Sequence, residues 1–372
     1  MSPRRVAFFI NTLGRGGTER NVAMLCQRMD QTRYRPQIWT LYPGGEYEEA
    51  VRGAGVEINC LHRSGSFDPS FAIKAARRIA KIDADIFHGF LPAITFYAEL
   101  ARLLFRSKPP IVYSEATTLV GHPWLRPLQA WLRRTQCSGF AANSEASRDF
   151  LAAQGVPADW IHIIANGHEA TRFQQPLDRE AFRASLGLAP EDRLAIFVGR
   201  LVDTKRVCDL VEAVRLLGDA RGRLRVGLVG DGPMRPELEK QVLQAGLVDV
   251  VQFMGMRSDV PEVLRSADMF VFPSEIEGLS NAVIEAALAG LPIVGCNVGG
   301  VRDIFDTERE GLLVPARDAS AFSAAMKRYL QDPALAQRHG LAARERATQA
   351  YAVDNTLNKI YQLYDQVLST RA

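Results

Sequence analysis

The sequence predicts an α/β protein of two doubly wound domains, and three observations carry that expectation. Apolar runs of strand length alternate with segments of helical spacing along the whole chain, the pattern of parallel sheets covered by helices on both faces. The plan then repeats itself in the second half. The length of 372 residues also exceeds what one core usually holds, so two domains of somewhat under roughly 200 residues each are expected.

Taken in order, first-half strands are expected near Val6–Ile10, Gln37–Leu41, Glu57–Leu61, Asp85–His88, Ile111–Ser114, Phe140–Asn143 and Ile161–Ile164. Those of the second half are expected near Ala195–Val198, Arg225–Val229, Val251–Phe253, Met269–Phe272, Ile293–Gly295 and Leu312–Val314. Amphipathic helices such as Val207–Leu217, Pro236–Ala245 and Ala321–Leu330 lie between them. The polar stretch Ala170–Arg193, with a short helix around Arg179–Leu186, reads as the link, which puts the domains at 1–178 and 179–353. A last helical segment, Asp354–Leu368, has no further strand to serve, and Tyr361, Leu363, Tyr364 and Val367 form its packing face.

Hydrophobic residues make up 47% and charged residues 23%, ordinary for a globular protein, which argues against disorder. The cysteines, Cys26, Cys60, Cys137, Cys208 and Cys296, are scattered without a C-x-x-C pair and read as reduced core thiols of a cytoplasmic protein. The run Val6–Ile10 is too short for a signal peptide or membrane span. Net charge is +3 but uneven: residues 1–172 carry 21 Lys+Arg against 15 Asp+Glu, and the remainder is net −3. Such a basic first half suits an anionic partner, although so modest an excess also arises by chance.

The chemistry concentrates in Asp268–Gly290. Pro273 stops the strand Met269–Phe272, Asn281–Leu288 has helical spacing, and Gly290 supplies a C-cap before the strand at Pro292–Gly295. The loop Ser274–Ser280 therefore lies at the carboxyl end of a strand and the amino end of a helix, where open α/β sheets bind ligands and backbone N–H groups favour phosphate. Glu277 and Glu285 flank that helix start. With Ser280 as N-cap, a capping-box acid belongs at position 283, which is Val283, so capping leaves Glu285 unexplained.

Further candidates lie at other strand ends. Gly14-Arg15-Gly16-Gly17-Thr18-Glu19-Arg20 opens a helix but fits a dinucleotide fingerprint poorly, since its third glycine position is Glu19. Asp83-Ala84-Asp85 matches a D-x-D metal signature, yet it stands at the entrance of a strand, the wrong edge for a site. His88 ends its strand either as a structural hydrogen-bonder or as a site residue. Glu115 follows the next strand in Ser114-Glu115-Ala116-Thr117. His122–Arg134 sets Trp124, Leu125, Leu128, Trp131 and Leu132 at helical spacing beside Arg126, Arg133 and Arg134, the pattern of a membrane-surface helix or of a helix packed on the core. Arg200 and Lys205 follow the first strand of the second half, and two cations with no acidic metal cluster opposite suit a diphosphate leaving group. Gly230-Asp231-Gly232-Pro233 reads as a structural turn.

The string from Glu277 to Glu285, framed by Pro273-Ser274 and by Gly290-Leu291-Pro292-Ile293-Val294, resembles the E-x7-E signature of retaining family-four glycosyltransferases, which have the GT-B fold. The G-G-x-E-R form of Gly16–Arg20 is similar to the N-terminal loop of that family, and Ala142-Asn143-Ser144-Glu145 and Ala165-Asn166-Gly167 extend the resemblance over nearly the whole chain. The resemblance implies two Rossmann-like domains facing across a cleft, the first for the acceptor and the second for a nucleotide sugar, with the segment 354–372 crossing back onto the first. It further implies that Arg200 and Lys205 hold the donor diphosphate, that Glu285 accepts from the ribose and that Glu277 contacts the transferred sugar. Gly16 and Gly17 approach the diphosphate, Met256 and Arg257 cradle the base, and Gly278, Leu279, Ser280 and Asn281 complete the anion site. With Glu277, His88 and Glu115 on the acceptor side are the catalytic residues that the resemblance implies. The donor is expected to be a UDP-sugar, or GDP-mannose, and the acceptor a saccharide or lipid-linked glycan, with no metal or cofactor, no nucleic acid, and peripheral membrane contact through 122–134. Two rivals share the pattern: a nucleotide-sugar epimerase of the same fold, and a non-catalytic nucleotide-sugar-binding protein.

Overall fold

The computed structural model describes residues 2–64, 68–115 and 126–370, and its chain divides into two compact units, Met1–Gly167 with Val353–Ala372, and His168–Ala352. The first unit holds a seven-stranded parallel sheet in the order β3-β2-β1-β4-β5-β6-β7. Its strands are β1 (Arg4–Ile10), β2 (Tyr34–Thr40), β3 (Glu57–Cys60), β4 (Ile86–Gly89), β5 (Ile111–Glu115), β6 (Cys137–Ala142) and β7 (Ile161–Ile163). The second holds a six-stranded parallel sheet in the order β10-β9-β8-β11-β12-β13. These are β8 (Arg193–Val198), β9 (Leu224–Val229), β10 (Val251–Gly255), β11 (Met269–Phe272), β12 (Ile293–Cys296) and β13 (Gly311–Val314). Every strand expected from the sequence is present, with ends displaced by a few residues.

Each sheet reverses its order once, between β1 and β4 and between β8 and β11. Ligands of open parallel sheets lie outside the carboxyl ends of the strands at such a switch. The topology therefore marks the chain after β1 and β4 in one unit, and after β8 and β11 in the other.

Strands buried on both faces explain the near-continuous apolar runs. In β1, Val6, Phe8 and Ile10 enter one core cluster while Ala7 and Phe9 enter the other, as the period of two requires. The first of these clusters is completed by the final helix, Val353–Ser369, through Leu357, Ile360, Tyr361, Leu363, Tyr364 and Val367. Tyr361 stacks on Tyr34 with ring centroids 5.2 Å apart and accepts a hydrogen bond from the Asp30 amide at 2.7 Å. Gly139 admits this helix: a Cβ there would stand 2.9 Å from both Leu363 and Val367. Helix starts carry the expected caps, such as Asp68 before Pro69–Ile79, Asp318 before Ala319–Gln331, and Asp332 before Pro333–Ala350 with proline at its first position.

Three expectations change. The chain passes into the second unit at His168 rather than after 178, because the turn Ala170–Phe173 packs on the helix Val260–Ser266 of that unit. All five cysteines are free, but Cys60 and Cys208 are half-buried rather than core thiols. The helix Arg126–Gln136 exposes Leu128, Trp131 and Arg134 but turns Arg133 inward, where its guanidinium lies 4.1 Å from the Tyr113 ring centroid and 3.8 Å from Glu99. Burial there pushes the Glu99 carboxyl up to about 7 despite the Arg133 charge. Trp124 and Leu125 lie outside the described residues. No helix among the described residues is long and apolar enough to cross a membrane.

Candidate active site

In the second unit, the loop after β8 and the loop after β11 are tied together by their backbones. The Glu275 amide donates to the Thr204 carbonyl at 3.0 Å, and Ser274 Oγ lies 3.2 Å from the same oxygen. This tie sets Lys205 beside Glu277: its ammonium donates to Glu277 Oε1, which also accepts from Ser274 Oγ at 2.6 Å. The same ammonium lies 4.9 Å from the centroid of the Phe272 ring. Arg206 follows in the left-handed region at φ 49°, held there by a two-pronged contact with Asp209 at 3.0 and 2.9 Å. Arg200 is exposed and makes no ion pair or side-chain hydrogen bond among the described residues. The unit thus offers one solvent-facing guanidinium and one ammonium held by a carboxylate, both at the switch between β8 and β11.

Ser280 is the N-cap of the helix Asn281–Leu288, and its side chain makes no capping hydrogen bond. The first-turn amides of this helix accordingly receive no side-chain cap from Ser280, and the helix dipole favours an anion there. Leu279 and Ser280 are buried, and Glu285 lies buried one turn further on. The loop at Gly278–Leu279 is braced from behind: a Cβ on Gly300 would stand 1.4 Å from the Gly278 carbonyl oxygen and 2.9 Å from the Leu279 nitrogen. Gly230 and Gly232 lie close against the loop after β8 instead, since a Cβ on Gly230 would meet the backbone of Gly199 at 1.9 Å and one on Gly232 that of Leu201 at 2.3 Å. The structural reading of the Gly230 turn holds. Met256 is exposed, whereas the Arg257 guanidinium is already engaged by Asp259 at 2.8 and 2.5 Å, so its reach toward a base is tied down.

In the first unit, Gly16 is the N-cap of the helix Gly17–Arg28, with ordinary extended backbone, and the Glu19 carboxyl lies over it, within 1.9 Å of where a Cβ would be. Burial raises that carboxyl above the usual range. His88 is fully buried in the core cluster beside Phe90 and Tyr364. Its Nδ1 meets Tyr364 Oη at 2.6 Å and its Nε2 meets Ser114 Oγ at 2.7 Å, so one nitrogen donates and the other accepts. Burial pushes its pKa down to about 3. Both ring nitrogens are thus engaged inside the unit, as the hydrogen-bonding reading of His88 requires. Glu115 is buried, accepts from Tyr113 Oη at 3.1 Å, and lines a small cavity of about 20 Å³ with Thr18, Asn21, Asn143 and Asn166. Asp83 and Asp85 sit at the opposite edge of the sheet, answering Arg5 and Arg4.

Several site residues escape sequence reasoning. Asn21 has a buried Oδ1 with no hydrogen-bond partner among the described residues, in a cavity of mixed polar and apolar lining, and only its position one residue past the G-G-x-E-R string hints at it. Gly300 could have been suspected from Gly299-Gly300 between a strand and a helix.

Comparison with known proteins agrees with this geometry. Residues 15–172 match the family model Glycosyltransferase Family 4, and residues 178–346 match Glycosyl transferases group 1. A 2-deoxystreptamine glucosyltransferase of Streptomyces kanamyceticus is 30% identical over 69% of this chain and 68% of its own. The lipopolysaccharide core biosynthesis mannosyltransferase LpsB of Rhizobium meliloti is 28% identical over 72% of this chain and 77% of its own. Anabaena Alr3699/HepE, solved in complex with UDP, superimposes with a TM-score of 0.85 at 19% identity, covering 97% of this chain and 100% of its own. Two parallel-sheet units of this order, each with its site loops at the switch point, are the GT-B architecture of sugar-transferring enzymes. The chain belongs to the family-four glycosyltransferases.

Proposed function

We propose that the chain is a retaining, metal-independent hexosyltransferase that moves a sugar from a UDP-sugar to a saccharide or lipid-linked acceptor in cell-surface glycan synthesis, with GDP-mannose as the second donor to consider. The observation that carries this reading is the joining of Lys205, Glu277 and Ser274, with exposed Arg200 on the same loop as Lys205 and a helix start after Glu277 that the Ser280 side chain does not cap. That arrangement suits a diphosphate held by two cations and helix amides, with a carboxylate within reach of the sugar. The UDP complex of Alr3699/HepE, a protein of the same fold, supports the choice of nucleotide.

In this scheme the bond between the anomeric carbon and the β-phosphate oxygen breaks, and its electron pair leaves with the diphosphate. Arg200 and Lys205 stabilise that charge, which is how the reaction proceeds without a metal. Glu285 accepts from ribose hydroxyls. Glu277 Oε1 already receives Lys205 and Ser274, and a carboxylate so engaged is a poor nucleophile. This favours front-face attack: the acceptor oxygen bonds to the anomeric carbon on the side from which the phosphate departs, and a departing phosphate oxygen takes its proton. Glu115 and Asn21 Oδ1, which has no partner among the described residues, offer acceptors to a hydroxyl in the small cavity, which has room for about one water-sized group. Leu128, Trp131 and Arg134 present the apolar and basic surface that a peripheral membrane contact would use.

Ligand-detected binding across a panel of nucleotide sugars, followed by turnover with the donor that binds, tests the reading. A single UDP-sugar giving a product of unchanged anomeric configuration is expected. Binding without turnover on any acceptor, or release of free epimerised sugar with no acceptor present, would replace the transferase by one of its two rivals.

A further inference from the structure

The amino edge of the first unit's sheet carries a basic cavity for which sugar transfer has no use. Its volume is about 600 Å³, the size of a small-molecule site, and Arg5, Arg35, Arg78 and Lys81 contribute to its walls. A second hollow of about 530 Å³ also involves Arg5 and Arg35, together with Arg4. Arg5 stands at the start of β1 and Arg35 at the start of β2, whereas the candidate site lies beyond the carboxyl ends. A strand the length of β1 puts roughly 20 Å between the two edges.

The charges of this cavity are poorly balanced from within. Arg5 and Arg35 are register partners on neighbouring parallel strands, so two guanidinium groups start from directly opposite positions, an arrangement that repels. Asp83 answers Arg5, and Asp85 answers Arg4 at 3.6 Å. Arg78 donates to the Cys60 carbonyl at 3.0 Å and lies over the Trp39 ring at 5.3 Å, with no carboxylate partner among the described residues. Arg35 and Lys81 are exposed and have neither an ion pair nor a side-chain hydrogen bond among the described residues. Glu57 is the remaining acid of the wall, and its carboxylate accepts from Asn59 at 2.9 Å. Three cations thus face one concave surface without an acidic partner.

We propose that this cavity binds a small polyanion bearing two or more phosphate or carboxylate groups, a ligand distinct from the sugar donor. Guanidinium forks match phosphate and carboxylate in a bidentate way, and the Lys81 ammonium adds a third point of charge. A single monoanion would leave at least one of Arg35, Arg78 and Lys81 uncompensated. The phosphate could belong to a soluble metabolite or to a lipid headgroup, and the two are separable by experiment.

The full chain is titrated with inorganic pyrophosphate in a calorimeter, first alone and then with UDP at saturation. The titration is repeated on Arg35→Ala/Lys81→Ala and on Arg200→Ala, and sedimentation with phosphatidylglycerol vesicles is run in parallel. Pyrophosphate binding that persists under UDP and in Arg200→Ala, and weakens at least about tenfold in the double variant, is expected, because each lost charge-assisted hydrogen bond is worth about that factor or more. Binding should also weaken with salt. Vesicle binding that the double variant loses would assign the anion to a headgroup, and vesicle binding indifferent to it, to a soluble ligand. Both replaced side chains are exposed, so the melt should be unchanged, and Arg35→Lys, which keeps the charge but loses the fork, should weaken binding less than the double variant does. If neither probe binds the wild type, if UDP or Arg200→Ala abolishes pyrophosphate binding, or if the double variant binds both probes as well as wild type, the proposal is overturned.

Discussion

Replacing Gly300 by alanine tests the proposed donor loop without touching a charged residue. The new methyl group would stand 1.4 Å from the Gly278 carbonyl oxygen, 2.3 Å from its carbon and 2.9 Å from the Leu279 nitrogen, all of them backbone atoms with no rotamer to yield. Carbon and oxygen settle near 3.5 Å, so the two segments must separate by roughly 2 Å. Overpacking of this kind costs about 1–3 kcal/mol, and a unit of this size loses about 2–4 °C of melting temperature per kcal/mol. The larger effect should fall on chemistry, since a reacting group misplaced by about 1 Å can lower rate about a hundredfold. Nucleotide affinity by calorimetry, turnover with the donor, and the melt are measured on Gly300→Ala and on Gly53→Ala, where a Cβ meets nothing within 4 Å. Gly53→Ala should match wild type in all three. If Gly300→Ala lowers the melt yet binds UDP and turns over as wild type does, the loop Gly278–Asn281 is not where the donor sits.

The remaining predictions concern single groups. Glu285→Gln should weaken UDP binding about ten- to a hundredfold, from the roughly 1.5–3 kcal/mol of a charged hydrogen bond, and unchanged affinity would remove Glu285 from the ribose. Glu277→Gln should lower turnover while keeping or raising UDP affinity, because Lys205 is then released to the diphosphate; full turnover would contradict the sugar contact. Activity should survive EDTA, and loss restored by Mg²⁺ would refute the leaving-group account. Acid should cost stability through His88 between about pH 6.5 and pH 3, because folded His88 takes a proton only near 3 whereas the unfolded chain takes it near 6.5, and Glu99, raised to about 7 in the fold, opposes this above about pH 4.5. The His88 contribution rises with pH by up to about 1.4 kcal/mol per unit, and the difference in slope between wild type and His88→Asn in denaturant titrations should show it, most clearly between about pH 3 and 4.5.

Legibility in the sequence follows the range of the interaction. The strands, the N-cap at Ser280 and the inward face of the last helix were readable because period and capping are local, repeated within a few residues. The pairing of Lys205 with Glu277 was not, since it joins residues 72 apart through the register of β8 on β11. The inward turn of Arg133 was hidden for a related reason, since only Glu99 and Tyr113, on other elements, explain it. Arg257 looked available until Asp259, two residues away, claimed it.

The final helix carries an implication for how the protein is made. The second unit is one continuous stretch, His168–Ala352, but the first is cut in two, with Val353 onward supplying a wall of its core. On the ribosome, domains ordinarily finish in the order of synthesis. Here the half synthesised first must wait: β1, β2 and His88 lack their cover of Tyr361, Leu363, Tyr364 and Val367 until the last helix emerges, and the bond from Asp30 to Tyr361 spans 331 residues. The second unit is complete before the first. A nascent chain arrested after residue 352 should accordingly resist protease across 168–352 while being cut within 1–167, so that the unit begun second is the first to be finished.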